Sequence, residues 1–358
     1  MNQTIEQVTH TLAQQLIPAY GDHEVALHHA WELVEYATGL NRAQLLINNN
    51  LPLSAEQQQN LDLWAHQIVV ENKPIQYILG DVPFLDLTIK VRPPILIPRP
   101  ETEDWCAGLI EEIKKAPLMV FDTILSRASY LDTTPAAPLD MGGRSRDRLS
   151  GSTQEKSNKN LLSQTTAQPE YFSEHDAKKN VSKDPSEALK ILDLCTGSGC
   201  IALALAKAFP TAQIIATDIS PEALALAQEN AQLNNINNVT FIQSDVYENI
   251  PHQKFDLIVA NPPYIDPEEY VTLDPSVTAW EDKNALVAPE HGLAIIDRIT
   301  EQAAQFLRPL PYPFAQLWIE IGYRQGDVVS NIFTKYGFTS KLLKDAAGNN
   351  RVVVGTLQ

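Results

Sequence analysis

Apolar residues recur at helical spacing over the first eighty positions, through Ala26, Ala30, Leu33 and Val34 and again through Leu61, Trp64 and Ile68. Breaks near Gly39 and Pro52 divide the run into several short helices, so residues 1–80 are expected to form a helical domain. From Asp81 the texture changes. Phe84 to Val91 alternate apolar and polar, Arg92-Pro93-Pro94 interrupts, and the apolar Ile95-Leu96-Ile97 follows, which predicts a β-hairpin linker over 81–101. A helix is expected over 102–115. Residues 117–187 are rich in Ser, Thr, Asn, Lys and Asp without a sustained period and read as a flexible insertion, although Leu118 to Phe121 are apolar enough to pack locally.

From residue 188 to 358, strand and helix patterns alternate as in a doubly wound α/β domain. Strands are predicted at Lys190 to Leu194, Gln213 to Asp218, Val239 to Asp245, Phe255 to Ala260 and Ala315 to Ile321. Helices are predicted at Cys200 to Phe209, Pro221 to Asn234, Gly292 to Leu307 and Gln325 to Tyr336. The tail adds Thr339 to Lys344 and Arg351 to Thr356, which suits an antiparallel strand at one sheet edge.

The chemistry concentrates at the ends of these strands. Leu194-Cys195-Thr196-Gly197-Ser198-Gly199 turns tightly from a buried strand into a helix, and glycine there lets backbone approach a ligand closely. No Gly-Lys-Ser/Thr follows, so this is not a phosphate-gripping loop. An ordinary strand-to-helix turn has the same local pattern. Asp193, Asp218 and Asp245 lie at or near three strand ends and are expected to face one crevice, Asp218 accepting from ribose hydroxyls and Asp245 from an adenine amino group. A single strand-end Asp is more often a helix cap, but three at successive ends favour a nucleotide-type ligand. An NAD site would share the Gly-rich turn and the second-strand acid. The fourth strand separates the two readings.

That strand runs straight into Asn261-Pro262-Pro263-Tyr264. Consecutive prolines have restricted φ and no N–H, so their carbonyls can be held rigid and aimed outward. The Asn261 side-chain oxygen and the Pro262 carbonyl can each accept one N–H of a substrate NH₂ group, and Tyr264 can stack on a planar amide or base. A weak amide nucleophile with no strong base nearby depends on alignment and on acceptors that strengthen as positive charge develops on nitrogen. The expected chemistry is methyl transfer to an amide or amine nitrogen.

Bulk properties narrow the partners. Lys plus Arg is 27 against 44 for Asp plus Glu, a formal charge of -17, which opposes a phosphate backbone and disfavours direct nucleic-acid binding. Cys106, Cys195 and Cys200 lack C-x-x-C spacing, so neither a disulfide framework nor a metal site is expected. The His23, His28, His29 and Glu24 cluster reads as a solvated helix face. The first twenty residues lack the features of a signal peptide, and no stretch approaches a membrane span. A bacterial cytoplasmic setting is the default expectation; a mitochondrial enzyme of the same kind would carry the same motifs, but no Arg-rich presequence is visible.

The Gly-rich turn and Asn-Pro-Pro-Tyr resemble the amino methyltransferases as a class. Pro74-Ile75-Gln76-Tyr77-Ile78-Leu79-Gly80 and Leu96-Ile97-Pro98-Arg99-Pro100-Glu101-Thr102-Glu103, with Asp218-Ile219-Ser220-Pro221 and Glu320-Ile321-Gly322, resemble the HemK/PrmC family of release-factor glutamine methyltransferases. The resemblance spans both the helical region and the catalytic domain. It implies a Rossmann-like seven-stranded domain that binds S-adenosylmethionine, a helical domain that recognises the release factor, and N5-methylation of the glutamine in the Gly-Gly-Gln tip of bacterial-type factors.

Carried over by position, Cys195, Thr196, Gly197, Ser198 and Gly199 contact the methionine part, Asp218 the ribose, and Asp245 and Val246 the adenine side. Asp193, Ile219 and Asn261 complete the cofactor set. Asn261, Pro262, Pro263 and Tyr264 hold the glutamine amide, and Arg99 orders a lid over the pocket or forms a hairpin-to-helix salt bridge. Cys195 stands where many members carry Gly, and the 117–187 insertion falls where the family connects briefly. A DNA adenine or RNA methyltransferase using the same loop, and an inactive donor-binding scaffold, are the alternatives.

Overall fold

The computed structural model describes residues 3–115, 188–308 and 314–358. The expected insertion, with its apolar Leu118 to Phe121, lies outside the described residues.

The N-terminal region forms five helices: α1 (Ile5–Tyr20), α2 (His23–Thr38), α3 (Arg42–Ile47), α4 (Ala55–Glu71) and the single turn α5 (Gln76–Leu79). Their boundaries follow from local chemistry. Thr4 with Gln7, Asn41 with Gln44 and Ser54 with Gln57 form reciprocal capping boxes, while Asp22 caps α2. Gly21 and Gly39 end α1 and α2 in the left-handed conformation. Leu12, Leu16, Leu33, Leu45 and Leu61 meet in one buried cluster. Trp64 is half-buried and packs its ring 5.3 Å from that of Tyr36.

Strands β1 (Asp81–Phe84) and β2 (Leu87–Lys90) form an antiparallel hairpin. It is tighter than the alternation predicts: Phe84 pairs with Leu87, the chain turns at Leu85 (φ 52) and Asp86, and Ile95 to Ile97 are not a strand. The prolines at 93 and 94 remove the donors a further strand would need. Helix α6 (Pro100–Lys115) begins two residues before its expected start, with Glu101 and Glu103 in its first turn and Lys114 and Lys115 in its last, matching the helix dipole.

The remaining strands are β3 (Lys190–Leu194), β4 (Gln213–Asp218), β5 (Val239–Gln243), β6 (Leu257–Ala260), β7 (Leu317–Glu320), β8 (Phe338–Lys344) and β9 (Asn350–Leu357). They form one seven-stranded sheet in the order β5-β4-β3-β6-β7-β9-β8. The first five are parallel; β9 inserts antiparallel between β7 and β8, leaving β8 at the edge. Helices α7 (Cys200–Ala208) and α8 (Pro221–Leu233) belong to the first half. The second half carries the short α9 (Pro267–Tyr270), α10 (Pro275–Thr278), α11 (Lys283–Leu286) and α12 (Pro289–Gly292), then α13 (Ala294–Phe306) and α14 (Gly326–Lys335).

Several boundaries differ from expectation by one or two residues, and two of these differences bear on the site. Helix α13 starts at Ala294 because Glu290 and His291 adopt left-handed φ values of 56. Strand β5 stops at Gln243, so Asp245 sits in the turn beyond it. Order reverses at β3, which pairs with β4 on one side and β6 on the other, and a crevice opens outside the carboxyl ends of the strands at such a point.

Candidate active site

Leu194 is in register with Ala260, so the Gly-rich turn and the Asn-Pro-Pro-Tyr loop leave neighbouring strands side by side. The turn bends through left-handed positions at Cys195 (φ 58), Gly197 (φ 55) and Gly199 (φ 84). Glycine is required at Gly199, where a Cβ would lie 2.9 Å from the Ala227 side chain of α8. Cys195 holds a similar conformation with a side chain, and burial pushes its thiol well above its ordinary pKa.

Asp218 ties the two first turns together. Its Oδ2 accepts from the Gly197 N–H at 2.8 Å, and its Oδ1 from the Ser220 N–H at 2.9 Å. Burial raises its pKa, and the backbone donors oppose that rise. Ile219 beside it is 61% exposed, an apolar side chain left open just past the end of β4. Nothing stands within 4 Å of where a Cβ on Gly197 would point. An open backbone floor beside a carboxylate with spare lone pairs fits the ribose and methionine parts of S-adenosylmethionine.

Asp193 departs from the expectation that it faces the crevice. It is fully buried, and its Oδ2 accepts from the Thr196 hydroxyl at 2.6 Å beneath the turn. Desolvation raises its carboxyl to about 7. Asp245 does border the turn after β5, but its carboxylate pairs with Arg298 of α13 at 3.0 Å. Val246 next to it is buried with φ 51.

Behind the Asn-Pro-Pro-Tyr loop lies a buried carboxylate. Glu320, the last residue of β7, accepts at Oε2 from the Thr102 hydroxyl and the Trp105 indole, both at 2.7 Å, and at Oε1 from the Tyr264 hydroxyl at 3.3 Å. Burial raises its pKa, opposed by those donors. Burial also raises the Tyr264 phenol, with Glu320 adding to the effect, so the phenol remains a proton donor. Asn261 Nδ2 donates to Thr102 Oγ1 at 3.4 Å. The Thr102 proton is committed to Glu320, so Oγ1 can only accept from Asn261, which turns Asn261 Oδ1 the other way.

The segment after the loop fastens upstream elements. Trp280 Nε1 donates to the Glu71 carbonyl of α4 at 2.8 Å, and Asp282 N–H to the Pro94 carbonyl at 2.7 Å. Between them Glu281, whose side chain is 1% exposed, accepts from Arg99 at 2.6 and 2.7 Å. Arg99 therefore links the start of α6 to this segment. Trp105 and Gln325 carry no motif signal that marks them as site residues, Thr102 and Glu320 enter the sequence reading only as parts of family matches, and Glu281 belongs to the Trp280-Glu281-Asp282 run, whose place after the loop is as compatible with the cleft border as with plain packing.

A switch-point crevice with this turn and this loop defines an S-adenosylmethionine-dependent methyltransferase. A family model described as the PrmC N-terminal domain matches residues 5–80, and one described as the methyltransferase small domain matches residues 179–274. The release factor glutamine methyltransferase of Lactococcus lactis is 34% identical over 286 residues, 79% of this chain and 77% of that protein. That of Salmonella typhimurium is 31% identical over 325 residues, 90% of this chain and 89% of that protein. A shorter match, to the enzyme of Francisella tularensis, is 45% identical over 164 residues, 46% of this chain and 56% of that protein. The chain belongs to the release factor glutamine methyltransferase family.

Proposed function

We propose that this enzyme methylates the side-chain amide nitrogen of the glutamine in the Gly-Gly-Gln tip of bacterial-type peptide chain release factors. The observation that carries the reading is the pairing of Leu194 with Ala260, which sets the donor turn and the amide-accepting loop beside each other. S-adenosylmethionine, when bound, supplies an electrophilic methyl group on a sulfonium.

The chain's residues supply alignment. Cys195 to Gly199 line the methionine part, Asp218 accepts from the ribose hydroxyls, and Ile219, Asp245 and Val246 border the adenine. Asn261 Oδ1 and the Pro262 carbonyl accept the two amide hydrogens, and Tyr264 lies against the amide plane with Pro263 stiffening the loop. Acceptors aimed in advance at a nitrogen that gains positive charge lower the barrier without reorganising. Arg99 acts through Glu281, holding the segment that follows the Asn-Pro-Pro-Tyr loop.

The helical domain over 1–80 recognises the body of the release factor, and the 81–101 linker joins it to the catalytic domain over 188–358. A formal charge of -17 opposes direct nucleic-acid binding. Among the described residues no helix is long and apolar enough to cross a membrane. The bacterial cytoplasm is the proposed setting, where the substrate is made. Tandem mass spectrometry of a treated release factor tests the reading: a methyl group on the tip glutamine supports it, and a methyl group elsewhere overturns it.

A further inference from the structure

The catalytic loop is gripped from its far side by residues outside the motif. Gln325 precedes α14, yet its side chain makes no cap for that helix. Instead Nε2 donates to the Tyr264 carbonyl at 2.8 Å and the His291 carbonyl at 3.1 Å, while Oε1 accepts from the Gly322 N–H at 2.8 Å. Both Nε2 protons and one Oε1 lone pair are thus used on backbone groups of three separate turns. A Cβ on Gly292 would collide with the Tyr264 carbonyl oxygen, so backbone packs there at a distance only glycine allows.

Glu290, His291 and Gly292 are consecutively left-handed, with φ of 56, 56 and 81. That conformation is strained for the two residues with side chains, and such strain persists only where surrounding contacts over-determine it. Ile265 N–H donates to Leu286 O at 2.9 Å and Ala288 N–H to Ile265 O at 3.1 Å, continuing the same attachment one residue past Tyr264. His291 Nδ1 lies 2.7 Å from the Asp266 carboxylate.

We propose that Gln325, with the left-handed run Glu290 to Gly292, is a positioning clamp that sets the Tyr264 carbonyl and so holds the acceptors of Asn261 and Pro262 in line for methyl transfer. The proposal rests on reading that loop as the amide site. Gln325 touches no reacting atom. Its effect is on the chemical step, because the donor turn hangs from β3 and β4 and shares none of these contacts.

The test uses Gln325→Met and Gln325→Glu in the full chain, with intact release factor as acceptor, measuring kcat, KM and donor affinity by calorimetry. Since a misplacement of about 1 Å can cost about 100-fold, Gln325→Met lowers kcat by about 10- to 100-fold while donor Kd changes by less than about 2-fold. Gln325→Glu loses as much at alkaline pH, where a carboxylate faces two carbonyl oxygens. It regains activity relative to wild type as pH falls, because the protonated acid donates to Tyr264 and still accepts from Gly322. A kcat within about 2-fold of wild type, or a loss matched in donor affinity at every pH, overturns the clamp.

Should wild-type enzyme leave the factor unmethylated, the proposed substrate fails, and the clamp is decided by the crystal structure of Gln325→Met. A Tyr264 carbonyl displaced by more than about 0.5 Å supports it; an unmoved one overturns it.

Discussion

Thr102, in the first turn of α6, donates a 2.7 Å hydrogen bond to Glu320 at the end of β7, across 218 residues of sequence. Through that bond the Arg99-Pro100-Glu101-Thr102 run reaches the Asn-Pro-Pro-Tyr loop, because Glu320 also accepts from Tyr264 and Thr102 accepts from Asn261. Glu320→Gln replaces one acceptor oxygen with an NH₂ facing groups that already donate. The expected cost is about 1–3 kcal/mol of stability together with a fall in kcat, read from denaturant melts and initial rates. Unchanged stability and rate would remove Glu320 from the support of the loop.

Asn261→Ala deletes one of the two proposed amide acceptors and removes none of the hydrogen bonds that hold the Gly-rich turn. Removing one such preorganised group costs about 100- to 1,000-fold in kcat, so activity falls by that order while donor binding measured by calorimetry persists. An active variant would place the amide elsewhere; loss of donor binding in step with activity would make Asn261 a cofactor residue first.

Asp193 makes a pH prediction. Its folded-state pKa, about 7, lies above the ordinary aspartate value, so the folded protein binds more protons than the unfolded chain between the two. Its contribution to stability therefore declines as pH rises from the unfolded pKa to about 7 and is level above that. Asp193→Asn lacks this dependence. The melting temperature of wild type relative to the variant is expected to drop steadily over that range, and a difference independent of pH would refute the raised pKa.

Arg99→Met leaves Glu281 buried without its counter-charge. Breaking a buried pair costs roughly 3–5 kcal/mol, and the partial exposure of the guanidinium places this case near about 2–3 kcal/mol. Chemical denaturation measures it. If Arg99 instead contacts substrate directly, the variant keeps its stability and loses affinity for the factor.

The sheet was legible because buried parallel strands are near-continuous apolar runs, such as Leu257 to Ala260, bounded by turns that carry the chemistry. The longer helices were legible from spacing, whereas the four short ones between Pro267 and Gly292 carry too few residues to show a period. The hairpin was legible but its turn was not, because Leu85 and Asp86 lie within the β-like pattern and nothing in Leu85 announces a positive φ. Asp193 read as crevice-facing from its place near a strand end, yet the Thr196 hydroxyl draws it beneath the turn. Glu320 and Gln325 were invisible as site residues because their bonds to Tyr264 and Thr102 span 56 to 218 positions, a pairing only the packed fold creates.

The central claim is tested most directly by transfer of labelled methyl from S-adenosylmethionine to a purified release factor, alongside its tip Gln→Ala variant, duplex DNA and ribosomal RNA. Label on the wild-type factor alone is the predicted result. Label on the Gln→Ala variant or on either nucleic acid would contradict the proposed substrate while leaving the methyl-transfer site in place.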